Sequence, residues 1–242
     1  MVILNDRCNG CGVCVPYCPV GALSLDAARR RVVVDGSLCT DCYVCIRHAC
    51  ARKAFEPGAL PGFGDVFRHV LSDPTETMAE TGVPGRGTEE SKTNDVTGRV
   101  RRGEFGLCVD MGRPGVGVRL RDVDRVARAV VAAGLKLERP TVSPLGMVVE
   151  DLETGRLRED VLDQHLLSII IEGKAPLDRL GSVLEALRRV EAEVETVFSV
   201  GLVMRADEGL SPSLREELDR LGIEYPFRAK VNVGLGRPLA EP

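Results

Sequence analysis

The chain has 242 residues, 44% of them hydrophobic and only 4% aromatic, with no tryptophan, so one large or two medium domains with mainly aliphatic cores are expected. Its 32 Lys and Arg against 36 Asp and Glu leave a formal charge of −4, and the basic residues are not interleaved with aromatics, which argues against nucleic acid as a partner. No apolar run approaches the ~20 residues of a membrane span, and the apolar start at Val2, Ile3 and Leu4 is too short for a signal peptide, so a reducing cytoplasm is the expected location for nine cysteines.

The first predicted elements are short strands at residues 2–4, 22–25, 31–34 and 54–55, read from β-branched and apolar residues between turns. The turns carry the chemistry. Cys8-Asn9-Gly10-Cys11-Gly12-Val13-Cys14-Val15-Pro16-Tyr17-Cys18-Pro19 has the spacing C-x2-C-x2-C-x3-C-P. Cys39, Cys42 and Cys45 repeat its first three positions in register, and Cys50 stands where a fourth ligand is needed. Zinc is the competing reading, but zinc sites use cysteine pairs with a long spacer and close on four ligands.

This double run resembles the bacterial two-cluster [4Fe–4S] ferredoxins. The resemblance covers residues 1 to about 56. It implies a dicluster ferredoxin fold in which the fourth cysteine of each run crosses to the other cluster. Cys8, Cys11, Cys14 and Cys50 would then hold one cluster, and Cys39, Cys42, Cys45 and Cys18 the other. It also implies single-electron transfer with a redox partner protein, and an anaerobic setting, because exposed clusters do not survive oxidants. The second run departs from the pattern: Cys45-Ile46-Arg47-His48-Ala49-Cys50-Ala51 is one residue longer and lacks the proline. His48 reads as a surface group, and Cys108 as a buried, inert thiol.

Residues 1–56 hold seven Lys and Arg against five Asp and Glu, +2 with neutral thiols. Ligation requires thiolates and turns this segment negative. Even so, Arg29, Arg30, Arg31, Arg47, Arg52 and Lys53 set it apart from a strongly acidic free carrier and suggest docking to a specific surface. So small a core cannot fold on apolar burial alone, which couples folding to metal binding.

Residues 57–98 are rich in Gly, Pro and Thr, with a hint of helix over 65–71. They read as a linker or as a binding loop. In the second case Arg86, Lys92, Arg99, Arg101 and Arg102 are the candidates for holding an anion.

Residues 99–242 alternate strands and helices. A strand is expected at 105–111, and a helix with Leu120, Val123, Val126, Val130 and Ala133 inward, ending near Gly134. Strands follow at 141–149 and 166–171, with a short helix or turn at 159–165 between them. Pro176 is read as opening the strongest helix, with Leu180, Val183, Leu184, Leu187, Val190 and Val194 on one face. A buried strand at 197–204, a helix from Ser211-Pro212 to Leu221 and a strand at Val231, Val233 and Leu235 complete the chain.

The fold class is therefore α+β: the ferredoxin fold followed by a larger α/β sandwich of split β-α-β units. The unit 166–204 looks like half of a ferredoxin-like or ACT-type sandwich, a likeness of topology only. The alternative is a parallel, doubly wound sheet. Gly112-Arg113-Pro114-Gly115-Val116-Gly117 is a tight turn or a phosphate cradle using Arg113, although it has neither nucleotide-binding glycine order. The three histidines have no nucleophile beside them. Three functions remain open: an electron carrier, a reductase or reductive activator with a small-molecule pocket in the second domain, or a redox- or ligand-sensing module. A homodimer is compatible with each.

Overall fold

The computed structural model describes residues 1–84, 98–204 and 212–224. Four short strands open the chain: β1 (Val2–Ile3), β2 (Leu23–Asp26), β3 (Arg31–Val34) and β4 (Phe55–Glu56). β1 pairs with β4 and β2 with β3, both antiparallel. Leu23, Val32, Ala49, Phe55 and Cys14 form a small core between these hairpins, with half-buried cysteines packed around it.

Helix α1 (Phe63–Ser72) follows. Asp65 accepts a hydrogen bond from the Gly62 N–H at 3.2 Å and closes its first turn. Phe67 and Leu71, spaced i and i+4, are sunk with Met78 into the larger core of the protein. The first part of the expected linker is thus a packed bridge, because one apolar helical stripe outweighs the glycine and proline around it. Arg86 and Lys92 lie outside the described residues.

The rest is built on β5 (Glu104–Met111), β6 (Val118–Arg119), α2 (Leu120–Ala132), β7 (Lys136–Leu137), β8 (Val149–Asp151), β9 (Arg156–Leu157), β10 (His165–Leu166), β11 (Ile169–Pro176), α3 (Leu180–Val190), β12 (Phe198–Met204) and α4 (Pro212–Arg220). The main sheet has the order β12-β5-β11-β7 with every neighbour antiparallel. The units β5-α2-β7 and β11-α3-β12 each take a strand of the other between their own, which is the split β-α-β connection. Among the described residues the parallel, doubly wound alternative is excluded. Val123, Val126 and Val130 of α2 and Val183, Leu184 and Leu187 of α3 share one core with Leu107, Val109, Met111, Ile169 and Ile171. No described helix is long and apolar enough to cross a membrane.

Several boundaries differ from the sequence reading. Residues 141–149 are not one strand: Pro144–Met147 is a 3-10 turn and only β8 is extended. Pro140 and Pro144 lack the N–H that a ladder needs, and Gly146 is pressed so close that a Cβ would meet the Pro140 nitrogen at 2.5 Å. The strand expected at 166–171 breaks after β10 and resumes as β11, which runs on through Glu172 and Lys174 to Pro176. These charged residues stay in the ladder because they have partners there: Lys174 reaches Glu104 at 2.9 Å, and Glu172 faces the Cys108 thiol at 3.7 Å. Pro176 therefore ends a strand; the turn Leu177–Arg179 intervenes before α3. β12 is an edge strand with Ser199 and Val200 exposed, not a buried one. The expected strand at Val231, Val233 and Leu235 lies outside the described residues.

Candidate metal centre

The backbone of the two cysteine runs repeats in register. Left-handed conformations occur at Gly10, Gly12 and Gly21 in the first run and at Asp41, Tyr43 and Lys53 in the second, with φ between 50° and 72°. Each member of the second set stands 31 or 32 residues after its counterpart in the sequence. The second run reproduces a glycine geometry with residues that reach it at a cost of roughly 1 kcal/mol each. The local packing repeats as well. Ala22 donates its N–H to Cys18 Sγ at 3.2 Å, and Ala54 donates to Cys50 Sγ at 3.4 Å.

The extra residue between Cys45 and Cys50 is absorbed without breaking this symmetry. Val15–Tyr17, between Cys14 and Cys18, is a 3-10 turn, whereas Cys45–Ala49 is a π-helical turn. A π turn holds more residues per turn than a 3-10 turn, so the longer run still delivers Cys50 to the place that Cys18 occupies in the first half.

Two groups of thiols result. Burial pushes the Cys14 thiol up, and the thiols of Cys50, Cys11 and Cys8 push it further. Burial likewise takes Cys45 up to about 12, with Cys42, Cys39 and Cys18 adding to it. Cys39 is pushed up to about 11 by burial, and Cys42 is raised for the same reason with a contribution from Cys18. Burial is the larger cause in each case; the repulsion added to it pairs Cys14 with Cys50, and Cys42 and Cys45 with Cys18. A multiply charged cation would reverse its sign. Cys18, Cys39, Cys42 and Cys45 line one pocket whose other walls include Met1, Val20, Ala22, Leu23 and Tyr43. Four sulfurs, apolar walls and an N–H directed at a sulfur fit a sulfur-ligated iron cluster.

The second group is fastened to α1. Buried Asp41, between Cys39 and Cys42, accepts two bonds from Arg68 (3.1 and 2.6 Å) and one from the Met1 amine at 3.1 Å. Burial works against its ionisation, but the Met1 ammonium and Arg68 outweigh it and hold the carboxyl below the usual range. Arg68 also donates to Gln164 at 2.8 Å. Arg47, on the π turn, grips buried Asp73 through two bonds of 2.8 Å and donates to the Cys42 carbonyl at 2.7 Å. His69 lies against Tyr43 with ring centroids 4.4 Å apart and the rings tilted by 37°, and contacts the Asp41 carbonyl at 2.8 Å. His165, buried, meets the Leu38 carbonyl at 2.7 Å, and the Gly115 N–H donates to the Pro19 carbonyl at 2.5 Å. The sequence offered no signal for these partners of α1, β10 and the 112–117 loop, since each pair is remote along the chain.

Among the described residues, the cations considered for an anion site fall in two separate places. Arg99, Arg101 and Arg102 lie just before β5, and Arg113 lies just past its other end, about 25 Å away for an eight-residue strand. Arg113 is engaged by the Gly112 carbonyl at 2.6 Å and the Ser199 hydroxyl at 2.7 Å. The N–H groups of Gly112, Gly115, Val116 and Gly117 all donate to carbonyls, the last two within the turn and the first two to Val197 and Pro19, so they are already engaged. His48 is exposed on the π turn and Cys108 is buried on β5. His69, Asp73 and Glu76 converge, but Asp73 already serves Arg47 and Thr75.

In comparison with known proteins, residues 1–24 match the family model of a 4Fe-4S binding domain. No solved structure matches the chain. The N-terminal stretch thus carries an iron–sulfur binding motif of the ferredoxin type, whose general chemistry is one-electron transfer.

Proposed function

We propose that this chain is a two-cluster electron-transfer protein, with one [4Fe–4S] cluster on Cys8, Cys11, Cys14 and Cys50 and the other on Cys39, Cys42, Cys45 and Cys18. The observation that carries the reading is the crossed grouping of the thiols: Cys18 of the first run lines one pocket with Cys39, Cys42 and Cys45, and Cys50 of the second takes the same N–H bond as Cys18 at the matching place. The register of left-handed residues supports it, because two matched loops are what two like clusters need. Residues 1–56 form the cluster domain, and residues 99–242 the domain that docks it to a partner oxidoreductase; α1 in the intervening stretch ties the two. The clusters, when bound, supply one-electron reduction and oxidation. The residues around them supply N–H donors to sulfur, exclude water and fix the second site against α1.

Anaerobic reconstitution tests this directly. About eight iron atoms per chain and two cluster signals in the EPR spectrum of the reduced protein are expected. Cys18→Ala should remove the cluster of Cys39, Cys42 and Cys45 and leave that of Cys8; loss of the Cys8 cluster instead would refute the crossed ligation.

A second reading, a reductase pocket in the larger domain, is favoured by one observation. The sheet face opposite α2 and α3 buries Cys108, Asp110 and Glu172 side by side. Turnover of a small acceptor that is lost in Glu172→Gln while both clusters persist would select it.

A further inference from the structure

The two groups of thiols differ in access. Cys11 alone among the nine cysteines is exposed, and beside it Val13 is 54% exposed and Leu25 46%. The loop that carries Cys11 lies on the β2–β3 hairpin: a Cβ on Gly10 would stand 2.1 Å from the Arg30 carbonyl oxygen, and one on Gly12 3.7 Å from Leu25. That contact sets exposed Arg29 and Arg30, and half-buried Arg31, along one side of the loop. On the other side Arg52 donates to the Arg7 carbonyl at 2.8 Å and Arg7 to the Lys53 carbonyl at 3.4 Å, which gathers three more exposed cations next to Cys8. The carboxylate on the hairpin, Asp26, is already paired with Arg29 at 3.4 Å.

The other group faces inward. Arg47, Tyr43 and Asp41 carry α1 across it, and Leu38 and Pro19 are bonded to the larger domain. An electron carrier approaching from solvent therefore finds an apolar spot of Val13 and Leu25 at Cys11, with Arg29, Arg30 and Arg31 on one side and, on the other, Arg7, Arg52 and Lys53 against the exposed carboxylate of Asp6.

We infer that this basic rim is the docking surface for an acidic one-electron carrier protein, and that electrons enter or leave the chain through the cluster of Cys8, Cys11, Cys14 and Cys50. The inference rests on the two-cluster reading. In the step it describes, one electron passes from the reduced iron–sulfur centre of the partner to this cluster. The partner is oxidised by one unit and the cluster reduced by one, with no bond made or broken and no proton moved. Charge complementarity selects the occupant: an acidic surface is drawn to the rim, and its encounter rate rises as salt is lowered. The acidic remainder of the chain, 25 Lys and Arg against 31 Asp and Glu in residues 57–242, makes a second copy the rival occupant.

The probe is a reduced, acidic plant-type [2Fe–2S] ferredoxin, whose spectrum is distinct from that of a four-iron cluster, mixed by stopped flow with the reconstituted full chain. The second-order rate constant should fall about ten-fold or more between ~20 mM and ~500 mM NaCl. Arg30→Glu/Arg31→Glu should lose about ten-fold at low salt, whereas Arg139→Glu/Arg189→Glu, with the same change in net charge on the larger domain, should not. A rate that ignores both salt and the hairpin charges, in protein that keeps about eight iron atoms, overturns the docking site and leaves the two-cluster reading intact. Iron for only one cluster in the unaltered chain overturns the reading beneath it. Salt-sensitive self-association abolished by Arg30→Glu/Arg31→Glu would assign the rim to a second copy and overturn the acidic carrier. Should that variant lose iron, the salt series on the unaltered chain decides.

Discussion

Replacing Arg47 with alanine removes the clamp between the π turn of the second cysteine run and the end of α1. Asp73 has a side chain only 2% exposed and takes two bonds of 2.8 Å from Arg47. Breaking a buried pair from one side costs about 3–5 kcal/mol, because the remaining charge stays desolvated. Two features reduce that here: Arg47 is itself 27% exposed, so water enters where it stood, and the Thr75 N–H and hydroxyl still reach Asp73. The expected loss is about 2–3 kcal/mol, a fall in Tm of roughly 4–12 °C for a protein of this size. Asp73 is lowered below the usual carboxylate range although its burial opposes this; hydrogen bonds from Arg47 and Thr75 prevail. A depressed folded-state value means that the contribution is complete above the unfolded value and fades only as pH falls through the folded one. Between about pH 6 and pH 8 the Tm difference should accordingly be flat. A double-mutant cycle of Arg47→Met and Asp73→Asn, followed by anaerobic thermal unfolding, should give a coupling of at least about 1 kcal/mol. A coupling near zero would refute the clamp.

Lys53→Gly should raise stability by about 0.5–1 kcal/mol, since it relieves an exposed left-handed residue at the position where the first run has Gly21. Gly21→Lys should cost as much, because nothing lies within 4 Å of a Cβ there and the price is conformational alone; denaturant titration of the pair checks both, and opposite signs are required. Gly10→Ala should abolish the Cys8 group as a metal site while sparing the other, since its Cβ cannot coexist with the Arg30 carbonyl; iron content near half of the unaltered value is the readout. Gln164→Ala should leave both clusters in place and loosen α1, seen as faster amide exchange over residues 63–72.

The sequence by itself determined the cysteine spacing, the short strands around it and the apolar stripes of α2 and α3, because each is a periodic or fixed-offset pattern within one short stretch; it read those strands as two β-α units, and their antiparallel pairing, β1 with β4 and β2 with β3, came from the tertiary structure. It also determined that the second run was one residue too long. Only the tertiary structure decided what that residue does: a π turn takes it up and turns Arg47 toward Asp73. The role of α1 was equally hidden, since Arg68 finds Asp41 27 residues away and Gln164 96 away, and no local pattern encodes such pairs. Strand limits at Glu172, Lys174 and Pro176 were misread for the same reason. A charge stays in a ladder when a distant partner satisfies it, as Glu104 does for Lys174, and that partner is chosen by the packing of the whole chain, whereas Pro176 is tolerated because it is the last residue of its strand.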